Sequence, residues 1–196
     1  MTAALRTPYA LLLALFAVLS FAACIEDDPI EFEEPPVTNV ETELRLDGPN
    51  LTGPILAAGV HRFGVRFSED ELEGYGGRDL IGVKVFVGVQ PEYLDLIAYA
   101  GGDQAPGREL GVILAEVNRT GDFLEYTFEE PIRIDAAEPL WLVAEVELPQ
   151  RQQSIGCDAG PRVAGGDWLW SGDEWLPFGE RVPGESINWN LRGLVR

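Results

Sequence analysis

Bases are scarce in this chain. Its 196 residues hold 14 lysines and arginines against 33 aspartates and glutamates, for a formal charge of −19. Lys84 is the sole lysine and His61 the sole histidine. So acidic a surface repels phosphate instead of releasing counterions onto it, which excludes nucleic acid as a partner. Cysteine is nearly missing too: Cys24 and Cys157 fall far short of a disulfide scaffold. Neither a long 3.6-residue hydrophobic period nor an internal repeat is visible, which argues against coiled coils and repeat arrays. Glycine (22) and proline (14) stay below the low-complexity range, and the apolar share of 46% is that of a folded domain.

Catalytic motifs are also lacking. No G-x-S-x-G elbow, H-E-x-x-H helix or glycine-rich phosphate loop stands in the strand–turn–helix context that such chemistry needs. His61, in Val60-His61-Arg62-Phe63, lies at a strand start and reads as a structural imidazole. Cys157 is followed by Asp158 and has no histidine or lysine nearby in sequence, which disfavours the thiolate. Carboxylate pairs arise by chance among so many acids, and none lies in a glycosidase motif. Lys84 sits mid-strand, where its stem can cover apolar surface. The expectation is a protein that is not an enzyme.

What is present begins with one hydrophobic run, residues 9–23 (YALLLALFAVLSFAA). Arg6 precedes it and Ala22-Ala23 close it before Cys24, which is the order of a secretory signal. The run is shorter than the roughly 20 apolar residues of a spanning helix. Ser20-Phe21-Ala22-Ala23-Cys24 resembles a bacterial lipobox, with Phe21 where leucine is usual. That resemblance implies cleavage before Cys24 and acylation (palmitate or a similar chain) of its thiol and new amino group. One chain anchors only marginally and a second makes the anchor stable, each buried methylene contributing about 0.8 kcal/mol. An ordinary signal peptide with an incidental cysteine, or a Cys24–Cys157 disulfide, are the alternatives. Ile25 rather than aspartate follows Cys24, which by resemblance to enteric lipoproteins implies release from the inner membrane. Glu26-Asp27-Asp28 resembles the acidic signals that send some lipoproteins to the outer face. The expected location is the cell envelope, lipid-anchored to the outer membrane and exposed at the surface.

Residues 25–41 (IEDDPIEFEEPPVTNVE) combine acids and prolines with no base, so self-repulsion and fixed dihedrals favour an extended spacer. At roughly 3.1 Å per residue it reaches about 50 Å. The organisation expected is a signal peptide over 1–23, an acidic tether over 24–42 and one β-sandwich domain over 43–196.

From Glu43 onward short strands alternate with Gly, Pro and Asp. Strands are predicted over 43–47, 61–67, 80–89, 93–100, 109–117, 123–129, 138–148, 167–171, 174–178 and 187–195. Ile81, Val83, Val85, Val87 and Val89 share one face. Strand 138–148 is apolar on both, through Leu140, Leu142, Ala144 and Val146 on one side and Trp141 and Val143 on the other, and is expected to be central. Ile187, Trp189 and Leu191 point one way, and Asn188, Asn190 and Arg192 the other. Ser68-Glu69-Asp70-Glu71 has capping-box spacing, which predicts one short helix near 69–75, stopped by Gly74, Gly76 and Gly77. The fold class expected is all-β, a two-sheet antiparallel jelly-roll-like sandwich.

Three segments carry a further resemblance: Asp158-Ala159-Gly160-Pro161, Val163-Ala164-Gly165-Gly166-Asp167-Trp168 and Asn188-Trp189-Asn190-Leu191-Arg192. With Phe63-Gly64-Val65-Arg66-Phe67, Glu71-Leu72, Tyr75-Gly76-Gly77 and Pro139-Leu140-Trp141-Leu142, they resemble a jelly-roll module of surface lipoproteins and secreted proteins of Gram-negative bacteria. Such modules occur beside gingipain-type adhesin or peptidase regions. The resemblance covers residues 43–196 and implies an extracellular, mostly non-catalytic interaction or accessory module. Physically, Gly160, Gly165 and Gly166 permit backbone angles closed to other residues. Asp158 and Asp167 either brace turns or contribute to a structural calcium site, and the sequence points to no other cofactor.

Trp168, Trp170 and Trp175 flank a tight Gly172-Asp173 turn. A two-residue hairpin, with Ser171 opposite Glu174, sets Trp170 across from Trp175. Trp168, Trp170, Trp175 and Pro177 then share one face, and Leu169, Leu176 and Phe178 the other. The tryptophan face packing into the core is the ordinary outcome; with the leucine face inside, the indoles form a shelf for a sugar ring or a partner protein. Trp170 is the leading ligand contact, because the resembled module has a small polar residue near that place. Two functions follow: a lipid-anchored interaction or accessory protein whose partner is another envelope protein, or a carbohydrate-binding module of a system that captures extracellular glycans.

Overall fold

Period-two alternation gives most segments one apolar face, and burying those faces against each other needs two layers. The computed structural model describes residues 40–170 and 172–196. The signal run, Cys24, the tether through residue 39 and Ser171 lie outside the described residues. In chain order the elements are β1 (Thr42–Leu44), β2 (Ile55–Leu56), β3 (Gly59–Phe67), α1 (Glu69–Leu72), β4 (Asp79–Val87), β5 (Tyr93–Ala100), β6 (Arg108–Ala115), β7 (Asp122–Arg133), β8 (Leu140–Leu148), β9 (Gln152–Gln153), β10 (Trp168–Trp170), β11 (Trp175–Pro177), α2 (Phe178–Arg181) and β12 (Leu191–Val195).

One sheet runs β1-β12-β4-β7 and the other β11-β10-β3-β8-β5-β6, with β2-β9 a small separate ribbon. Neighbours pair antiparallel and several lie far apart in sequence, β12 standing between β1 and β4 and β8 between β3 and β5. The chain is thus an all-β, two-sheet, jelly-roll-like sandwich, as its alternation implies. Val83, Val85 and Val87 of β4 and Leu124, Tyr126 and Phe128 of β7 meet Phe63, Val65 and Phe67 of β3 and Leu142, Ala144 and Val146 of β8 in one core. Each of the Val, Leu and Phe side chains among them contributes about 1.5–3 kcal/mol when fully buried. Val89 falls past the end of β4 and is 37% exposed.

β8 is central and buried on both faces, Trp141 and Val143 included. Ser68 caps α1 through the reciprocal bonds of a capping box, Glu71 N to Ser68 Oγ and Ser68 N to the Glu71 carboxylate. α1 stops at Leu72, short of the predicted residue 75, and Glu73–Gly77 continue as turns. β7 runs on through Pro131 because it is an edge strand whose register shifts opposite Leu80–Gly82, where a missing N–H costs nothing. The last strand starts at Leu191 rather than 187, because the backbone before it bonds partners scattered over several segments: Asn188 N the Asp158 carboxylate, Trp189 N the Gly166 carbonyl and Asn190 N the Gly156 carbonyl. Gly160 and Gly165 have positive φ, +73° and +90°, but Gly166 does not. Its need is space: the Asn188 side chain lies where a β-carbon would be.

Candidate functional site

The three signature segments fold into one hydrogen-bonded knot. Asp158 accepts from the backbone N–H of Gly48 (2.8 Å), Gly160 (2.9 Å) and Asn188 (2.8 Å), and from Asn188 Nδ2. Asn188 Oδ1 in turn accepts from Val163 N at 2.7 Å, and Nδ2 donates to the Pro161 carbonyl. Burial pushes the Asp158 carboxyl up, but the Asn188 side chain and the three backbone donors together outweigh it and hold the group below the ordinary aspartate range. Asp167, with no exposed surface, accepts from Arg162 Nε at 2.7 Å and Gly179 N at 3.1 Å. The two candidate calcium ligands are therefore each occupied by N–H donors of the knot. Among the described residues no group of three or more His, Cys, Asp or Glu side chains converges on a point.

This knot fixes the tryptophan hairpin. Trp189, fully buried, donates Nε1–H to the Trp168 carbonyl at 2.7 Å and stacks edge-on with Phe63 and Phe178. The hairpin register is Trp168↔Pro177, Leu169↔Leu176, Trp170↔Trp175, and β10 joins β3 through Trp168↔Gly64 and Trp170↔Arg62. Leu169 is 2% exposed and Phe178 is buried, so the leucine face is the inner one. The ordinary expectation of core-packed tryptophans is reversed: all three stand half-buried on the outer face of the six-stranded sheet. The reason is that the inner layer is already filled by Phe63, Trp189 and Phe178.

Trp141 of β8, wholly buried, forms the centre of this outer layer. Its ring centroid lies 5.2 Å from that of Trp168 and 5.7 Å from that of Trp175, and its Nε1 donates to the Gly102 carbonyl at 2.8 Å. Gly64 makes room for them: a β-carbon there would sit 2.8 Å from Trp175 Cζ3 and 3.3 Å from Trp141 Cζ3. Beside the cluster opens a cleft of about 540 Å³ between the hairpin, the start of α1 and the 103–104 loop. Trp168, Trp175 and Pro177 form its apolar side, and Arg66, Asp103 and Glu180 are among its polar groups. Arg66 Nη2 pairs with Asp103 at 2.9 Å, Asp103 being 85% exposed. Trp168 Nε1 is buried with no hydrogen-bond partner among the described residues.

Trp170 lies apart from this cleft. The Arg62 guanidinium covers its ring at 4.6 Å and also pairs with Glu145, which accepts from Tyr93 Oη at 2.9 Å. Burial, then Glu145, push the Tyr93 phenol up to about 12. Across β5–β8, Asp95 faces Glu145, and burial followed by that like charge raises the Asp95 carboxyl above its usual range. His61 is buried with Nε2 at 2.9 Å from the Ala57 carbonyl. Cys157 is buried in the core, and burial followed by Asp158 pushes its thiol up to about 11. Lys84 bridges Glu43 and Glu125, each at 2.9 Å. Of the tryptophans that the sequence singles out, Trp168 and Trp175 line the cleft and Trp170 does not, and the sequence does not single out Arg66, Asp103 or Glu180. Only the register Arg66↔Trp141 on the outer face could have pointed to Arg66.

No family model matches the chain, and no curated protein does. Among solved structures it is similar to the clostridial cysteine protease Cwp84 after propeptide cleavage, with a TM-score of 0.56 at 7% identity. What they share is the fold. The similarity covers 79% of this chain and 40% of the protease chain, well under two thirds of its length. Among the described residues no helix is long and apolar enough to cross a membrane.

Proposed function

We propose that this chain is a non-catalytic binding or accessory module of the cell envelope, lipid-anchored to the outer membrane through Cys24 and held off it by the acidic tether. The observation that supports this reading best is the cleft on the outer face of the six-stranded sheet, a concave, mixed polar and aromatic surface of about 540 Å³. That size is within the roughly 300–1,000 Å³ of ligand sites in general. The residues a catalytic reading would turn to are committed elsewhere: the Cys157 thiol to the core, and His61 to the Ala57 carbonyl. Asp158 and Asp167 serve the knot beneath the hairpin, and no metal is assigned to them.

The anchor is tested by expressing the full chain and its Cys24→Ser variant in a Gram-negative host and separating membranes from periplasm. Wild type is expected in the outer-membrane fraction with a mass increase of acyl chains on Cys24, and the variant in the soluble fraction. Equal partitioning of the two, or an unmodified thiol, would overturn the anchored reading.

A further inference from the structure

The cleft has two kinds of wall. A pyranose ring has the matching two kinds of surface, a flat patch of axial C–H groups and a rim of hydroxyls that each donate and accept. Aromatic faces carry negative charge density and attract such C–H groups. Guanidinium N–H groups donate and carboxylates accept, which serves both halves of each hydroxyl. Charge argues for a neutral ligand. Arg66 is already paired with Asp103, and Arg162, also at the cleft, with Asp167. An anion would compete with two carboxylates, and the carboxylate of Glu180, without an ion-pair partner among the described residues, adds to the repulsion. Size argues for a small ligand: about 540 Å³ lies within the roughly 300–1,000 Å³ of small-molecule sites. A protein partner instead needs about 800 Å² of surface on each side.

The tryptophans themselves divide the structural from the available. Trp141 and Trp189 are fully buried with their N–H groups bonded to carbonyls. Trp168 lines the cleft with its indole N–H unbonded, a buried polar group of the kind that calls for an explanation. We propose that this cleft binds a neutral oligosaccharide, one pyranose ring lying against Trp175 and Trp168 while Arg66, Asp103 and Glu180 meet its hydroxyls. The inference rests on the reading of this face as the contact surface, and it gives that surface a ligand class.

The test uses the full chain, purified in a detergent without a sugar headgroup. Calorimetry and tryptophan emission follow titration with the neutral malto-, cello-, xylo- and chitohexaose, and with anionic hexagalacturonate. Binding of at least one neutral hexaose is expected, lost in Trp175→Ala, about tenfold weaker in Asp103→Ala and changed less than about twofold in Trp170→Ala. Near-UV circular dichroism checks that Trp175→Ala folds. Should it not fold, Asp103→Ala and Glu180→Gln, both at exposed positions, decide the matter. Binding of hexagalacturonate alone, no binding of any neutral hexaose, or a Trp170→Ala loss equal to that of Trp175→Ala would overturn the proposal. If no hexaose binds while in-situ cross-linking joins the wild type, but not Asp103→Ala, to an envelope protein, the saccharide falls and the binding module stands. If cross-linking also fails to distinguish them, both readings fall.

Discussion

The outer faces of the two sheets handle the same problem in opposite ways. Each carries aromatic residues where a sandwich normally shows polar ones. On the four-stranded sheet the face is closed: Arg192 lies 4.4 Å above the Phe123 ring and Lys84 5.7 Å from it. Arg192 forks onto Asp47, Nη2 to Oδ2 at 2.8 Å, and reaches Glu43 at 3.0 Å, while Lys84 ties Glu43 to Glu125. Arg192 and Lys84 thus each have two carboxylate partners, and Asp47 has no exposed side-chain surface. On the six-stranded sheet the same device begins, with Arg62 over Trp170 and paired to Glu145, and then stops. Past it Arg66 pairs with an exposed aspartate, and two indoles border an open cleft. The difference teaches that the cation and its carboxylates decide whether an aromatic face is closed over or left open to a cleft.

Breaking the closed face has the largest effect. Arg192→Ala leaves Asp47 buried with its main partner gone, and removing one member of a buried pair costs about 3–5 kcal/mol. Urea unfolding should show a loss of that size with ligand binding at the cleft unchanged; a loss below about 1 kcal/mol would mean the network is a surface one. The knot beneath the hairpin comes next. Asp158 has a folded pKa below the ordinary aspartate value, so its contribution is fully present above about pH 4 and lost as pH falls through the folded value. Glu43, with Lys84 and Arg192 outweighing its burial, behaves in the same way. Stability should therefore fall on acidification below about pH 4. Asp158→Ala should be about 1–3 kcal/mol less stable at pH 7 and should lose less between pH 7 and pH 3. An unchanged acid slope in the variant would remove Asp158 from the account.

The sandwich was legible because alternation reports directly on which side of a strand meets the core. β4, β5 and β8 differ from their predicted ranges by at most two residues at either end. The closing strand was misjudged at 187–190 because Asn188 and Asn190 alternate like strand residues while their amides bond Asp158 and Asp47 across the chain. No local pattern carries a partner 30 or 143 residues away. The hairpin register was readable from turn chemistry, Gly172-Asp173 demanding a two-residue loop. Which of its faces turns inward was not, since both are apolar and the choice depends on Trp189 and Phe63 filling the inner layer first. For the same reason the emphasis on Trp170 did not anticipate Arg62, which reaches it only through the pairing of β10 with β3. Arg66 and Asp103 meet across 37 residues and belong to no motif.

The smallest effect tests the open face by shape alone. Gly64 sits under the rings of Trp141 and Trp175, and an added methyl would meet Trp175 Cζ3 at 2.8 Å. Replacing a strand glycine by alanine recovers about 0.5–1 kcal/mol of chain entropy. Overpacking costs about 1–3 kcal/mol. The balance is a loss of about 1 kcal/mol. Of the two rings, Trp141 is the fixed one, wholly buried and bonded to the Gly102 carbonyl, whereas Trp175 is half-buried at the cleft. The strain should therefore turn Trp175 and leave Trp141 in place. Gly64→Ala should change the near-UV circular dichroism of the coupled indoles and weaken binding at the cleft. The unfolding slope with acid, set by Asp158 and Glu43 elsewhere, should stay as in the wild type. A variant with native near-UV circular dichroism would show that the open face has slack the packing does not suggest. The contrast with the tightly tied Phe123 face would then be one of degree.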